Sequence, residues 1–123
     1  MQAYTAQTAA PPPFYFSHLL PVKLAPDNYL SWRAQVLPLL RSRYLEGDVD
    51  GSIPCPPPHH PAYHTWVAQD QAILSAIQSS LTPSVSSMVI FAAMSREAWA
   101  ALHTSFASQS QARAHSIRTE LGE

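Results

Sequence analysis

Residues 23–41, KLAPDNYLSWRAQVLPLLR, decide how the rest of the chain is read. Tyr29, Trp32, Val36 and Leu40 recur at spacings of three and four, the stripe of a helix that buries one face. Arg33 and Arg41 fall off that line, and Arg43 follows just beyond it. Asp27 or Asn28 can cap the start, because a short side-chain oxygen accepts from the orphan N–H groups of a first turn. Pro38 removes the hydrogen bond to the Ala34 carbonyl and is expected to bend the helix there. Aromatic rings beside arginines suit a binding surface as well as a core, so the stretch is settled by what the remaining chain offers it.

The remainder offers helices. After Gly47 and Gly51, which bracket an expected turn in EGDVDG, the proline-rich SIPCPPPHHP of residues 52–61 reads as a connector. A second helix is expected from Pro61 or Ala62 to Ser80, with Trp66, Val67, Ile73, Leu74, Ile77 and Leu81 as its stripe and Asp70 interrupting it. Thr82-Pro83 has the form of a helix start, a capping threonine with proline at the first helical position. The third helix is expected to run to Ala93 with Val85, Met88, Val89 and Ala92 on one face. Ser95 is placed as the cap of a fourth, with Glu97 in its first turn and Trp99, Leu102 and Phe106 as its apolar line. A fifth, from Ser108 or Ser110, carries Ala114, Ile117 and Leu121, and Gly122 can close it unless the domain continues beyond. Upstream, residues 1–17 read as a disordered Pro/Ala/Thr/Gln tail, and residues 18–25 as an extended arm lying on the domain. The expected fold is all-α, about five helices in a small bundle. Matching stripes around Trp66, Val89 and Trp99 make Trp32 and its neighbours core rather than a base-stacking platform.

Composition narrows the function. With 123 residues the chain holds one core at most. Seven basic residues against eight acidic give a net charge of −1, without the basic excess that phosphate neutralisation demands of a nucleic-acid-binding domain. One cysteine, Cys55, cannot form an intramolecular disulfide and suits a reducing compartment. The first Lys or Arg is Lys23, and Pro11, Pro12, Pro13 and Pro21 interrupt the apolar start, so neither a signal peptide nor a membrane span is expected. The expected location is intracellular, cytoplasmic before nuclear.

Chemistry-bearing groupings are few. Cys55, His59, His60 and His64 bring a thiolate and imidazoles within ten residues, the donor types of a zinc site. Adjacent histidines in an extended chain diverge, however, and Pro56, Pro57 and Pro58 stiffen the segment, so a solvated linker is preferred and no metal is expected. Asp70 has no nucleophile or second acid near it in sequence and reads as a carboxylate at the core margin, paired with an arginine such as Arg33. No Gly-x-Ser-x-Gly elbow occurs, and three glycines in all leave no phosphate-cradling loop. No enzyme, cofactor or small-molecule substrate is expected. Arg113 and Arg118 form a thin basic face that Glu120 weakens.

The order of these pieces resembles a known family. PVKLAPDNYLSWRAQVLPLLR, EGDVDGSIPCPPP, PAYHTWVAQDQAILSAIQSSLTPSV and SREAWAALHTSFASQSQARAHSIRTEL are similar, in that order, to the N-terminal gag region of plant Copia-type LTR retrotransposons. The resemblance covers residues 18–121 and rests on Lys23, Leu24, Asn28, Tyr29, Trp32, Asp50, Gly51, Trp66, Asp70, Trp99, Leu102 and Arg113 taken together. It implies a capsid-like helical domain at 18–121 that self-associates into particles around element RNA. It also implies no catalytic residues, the protease, integrase and reverse transcriptase lying downstream. Two departures stand out. The further helices and zinc knuckle of a typical gag are missing, which makes a truncated fragment the expectation, and Asp48 stands where the family more often has a bulky apolar or aromatic residue. Two alternatives accompany this reading: a host-retained module binding a protein partner through the last helix or the PPPFYF tail, and an RNA-binding remnant using Arg113 and Arg118.

Overall fold

The apolar stripe of residues 29–40 lies on one face of α1 (Tyr29–Ser42), whose buried residues are Tyr29, Trp32, Val36 and Leu40. The structure, a computed structural model, describes residues 17–107. Four more helices follow among the described residues: α2 (Glu46–Asp50), α3 (Tyr63–Ser79), α4 (Pro83–Ser86) and α5 (95–107), with 3-10 turns at Ser17–Leu19 and Ser87–Val89. The all-α expectation holds. Pro38 lies inside α1 on its exposed side, where its missing N–H and its ring meet solvent rather than the core. The expected fifth helix, with Ala114, Ile117 and Leu121, lies outside the described residues, as does the tail before residue 17.

One core unites the helices. Leu24, Tyr29, Trp32, Val36 and Leu40 meet Leu45 and Val49, then Ile73, Leu74, Ala76, Ile77 and Leu81, then Val85 and Val89, and finally Ala98, Leu102 and Phe106. The arm contributes directly. The Leu24 N–H donates to the Ser80 carbonyl (2.8 Å), and the Leu24 carbonyl accepts from the Thr82 N–H (2.9 Å) and hydroxyl (3.0 Å). This parallel bridge between Leu24 and Leu81 buries Leu24 completely.

Asn28 serves that arm rather than the helix. It occupies the N-cap position of α1 without a capping side-chain bond. Its Oδ1 accepts from the Ala25 N–H (2.7 Å) and its Nδ2 donates to the Lys23 carbonyl (3.0 Å), which folds the arm back toward α3. At the other end of α1, the Leu45 N–H donates to the Leu40 carbonyl and the Tyr44 N–H to that of Arg41, with Tyr44 in the left-handed region (φ 58°). These are the paired bonds of a Schellman ending, and the buried Leu40 and Leu45 supply its apolar contact.

Three local expectations change. EGDVDG is a short helix, not an open turn, closed by Gly51 at φ 84°. The helix expected to reach Ala93 stops at Ser86 and continues only as a 3-10 turn, leaving Ile90 and Phe91 exposed. The reason is tertiary. The Gln78 and Gln71 side chains of α3 donate to the carbonyls of Val89 (3.5 Å) and Ala93 (2.9 Å), and Glu97 accepts from the Ala93 N–H (2.8 Å). Finally, Ser95 is not the cap of α5. The first bond of that helix runs from the Ala98 N–H to the Met94 carbonyl, which places Met94 at the cap and Ser95 inside the first turn.

Candidate functional site

Two clusters gather the residues singled out by sequence. The first is aromatic and joins α1 to α5. Tyr29 stacks on Phe106 with centroids 5.1 Å apart and planes at 11°, and lies 6.4 Å from Trp32. Trp32 meets Trp99 at 5.7 Å, and the Tyr29 hydroxyl is 3.4 Å from His103 Nδ1. Burial raises the Tyr29 phenol above its ordinary pKa, against an opposing pull from Arg33. Leu102 is fully buried beneath this group and Trp99 is half-buried at its edge. Such ring pairs contribute about 0.5–1.5 kcal/mol each beyond area burial. They form a clamp between the two helices, as expected of packing residues.

The second cluster is polar and lies where α2, α3 and α5 meet. Asp70, on α3, does not pair with Arg33. Its Oδ1 accepts from the Ser95 hydroxyl (2.5 Å) and its Oδ2 from the Ser95 N–H (3.2 Å). A carboxylate from one helix thereby satisfies an orphan N–H at the start of another, where the helix dipole also favours negative charge. Facing it from α2 is Asp48, which sequence reasoning did not select as a site residue. Asp48 is 5% exposed and its Oδ2 has no hydrogen-bond partner. Burial foremost, then the charges of Asp70 and Asp50, push its carboxyl up to about 7. The sequence signal was present in the family departure at Asp48, since an apolar position filled by an acid marks a buried carboxylate.

Gly51 and Arg96 complete the junction. A Cβ on Gly51 would lie 2.8 Å from Arg96 Cζ, so the left-handed glycine also lets the guanidinium lie across the end of α2. The Ser52 N–H (2.8 Å), then the Ser52 hydroxyl and finally Arg96, hold Asp50 below the usual carboxylate range. Trp66 anchors the connector beside this junction, donating from Nε1 to the Ile53 carbonyl (3.1 Å).

The Cys55 segment is dispersed. Cys55 and His59 are exposed, His60 Nδ1 accepts from the Ala62 N–H (3.0 Å), and His64 is exposed and meets Tyr63 edge-on. Among the described residues no group of three or more His, Cys, Asp or Glu could hold a metal ion, and no helix is long and apolar enough to cross a membrane. Arg113 and Arg118 lie outside the described residues.

A helical chain in which Asn28 ties down the arm, while Gly51 and Asp70 meet the start of α5, can now be set beside known proteins. It is 32% identical over 108 residues to the retrovirus-related Pol polyprotein from transposon RE1 of Arabidopsis thaliana, covering 80% of this chain and 7% of that protein. It is 33% identical over 105 residues to the corresponding polyprotein from transposon RE2 of the same plant, covering 78% and 7%. The chain thus spans about 7% of the length of these relatives. The similarity supports origin in a plant Copia-type retrotransposon. No family model and no solved structure matches the chain.

Proposed function

We propose that this chain is a gag-like structural segment of a Copia-type element, non-enzymatic, whose work is self-association into capsid-like assemblies. The observation that carries the reading is the similarity to transposon polyproteins over four fifths of the chain. An exposed apolar tip on the described domain is in keeping with it. Met88, Ile90 and Phe91 face solvent there, with Phe91 94% exposed. The Gln71 and Gln78 bonds brace the tip from behind, so presenting it to a second copy costs little further ordering.

Size-exclusion chromatography with light scattering tests the proposal. The chain should form concentration-dependent oligomers, and Phe91→Asp should shift them toward monomer while leaving the melting temperature unchanged. A well-folded, strictly monomeric chain at high concentration would overturn it.

A further inference from the structure

We propose that Asp48 is a proton-dependent lock at the α2–α3–α5 junction, engaged when its carboxyl is neutral and loosened when it ionises. The inference begins with placement. Asp48 is 5% exposed and sits between two other buried residues, Gly47 and Val49, of the five-residue helix α2. Its Oδ2 is buried without a partner, so on ionisation that oxygen loses hydration that no hydrogen bond replaces.

The neighbouring charges sharpen the effect. On its own helix Asp50 adds negative charge, and Glu46 is occupied by Arg41 of α1 at 3.1 Å. From α3 comes Asp70, nearly fully buried and committed to Ser95. Arg96 of α5 lies against Gly51 and acts on Asp50 rather than on Asp48. Asp48 is therefore opposed by the charge of two carboxylates, the buried Asp70 and the exposed Asp50.

Direction follows from linkage. The folded chain keeps the Asp48 proton up to about pH 7, whereas an unfolded aspartate releases it near pH ~4. The folded state binds more protons across that window, so the contribution of Asp48 to stability falls as pH rises through it and levels off above the folded value. The lock is tightest in mildly acidic solution.

Thermal unfolding of the whole chain at pH 5.5 and pH 8, with Asp48→Asn and Asp48→Val beside it, decides the matter. The wild-type chain should melt roughly 5–10 °C lower at pH 8 than at pH 5.5. Asp48→Asn should lose most of that difference, which assigns it to the Asp48 carboxyl. Asp48→Val should melt higher than wild type at pH 8. Stability unchanged between the two pH values, or a difference retained in Asp48→Asn, would overturn the proposal. So would failure of both variants to fold, because a lock strained by its own charge is not needed for folding.

Discussion

The two junctions made by α5 are built on opposite principles. Toward α1 it offers Trp99, Leu102 and Phe106 to Tyr29 and Trp32, a contact of rings and aliphatic side chains. Toward α2 and α3 it offers Ser95 and Arg96 to Asp70, Asp50 and Gly51, with the orphaned oxygen of Asp48 close by. The aromatic side is non-directional, gains from area, and tolerates small shifts. The polar side depends on a few bonds, each of which costs more to break than it contributes when made. One helix is therefore held firmly at its middle and conditionally at its start.

That contrast is sharpest under mutation. Trp32→Ala should cost about 3–5 kcal/mol, the range for a large buried aromatic, measured by denaturant unfolding. A smaller loss than at the polar junction would mean that the aromatic clamp is not the main tie. Asp70→Ala should cost about 1–3 kcal/mol, because it strands the buried Ser95 hydroxyl and N–H. Relief of its repulsion with Asp48 offsets part of that loss, so the cost should be smaller at pH 8 than at pH 5.5. An equal cost at both would separate the two carboxylates. Gly51→Ala should cost about 1–2 kcal/mol from the left-handed backbone, with hydrogen exchange quickening in α2 and the first turn of α5 but not at Tyr29 or Trp32. Exchange that quickens everywhere would show the two junctions to be one cooperative unit.

How much could be read in advance divides along the same line. The buried face of α1 is the one that its spacing predicts, residue for residue, because a helical period is a local property. Trp66, Ile73, Leu74 and Ile77 on α3 are buried for the same reason, and Thr82-Pro83 does open α4. The expected helix to Ala93 had an acceptable stripe, yet bonds from Gln71, Gln78 and Glu97 to the loop outweigh that weak local preference. Asp70 was visible as an oddity on an apolar stripe, but its partner was not, since Ser95 lies 25 positions away and makes no pattern with it. Asn28 was visible as a capping residue, and its bonds to the arm were not.

By itself, then, the sequence determined the all-α class, the inward faces of α1 and α3, the three tryptophans as packing residues and the order of pieces shared with transposon polyproteins. These follow from periodicity, turn chemistry and residue order, which act over a few positions at a time. Only the tertiary structure decided that Leu24 bridges to Leu81, that Asp70 satisfies the start of α5, and that Asp48 is enclosed against a second acid. Each of those depends on which groups lose water together, and a chain settles that only when its helices meet.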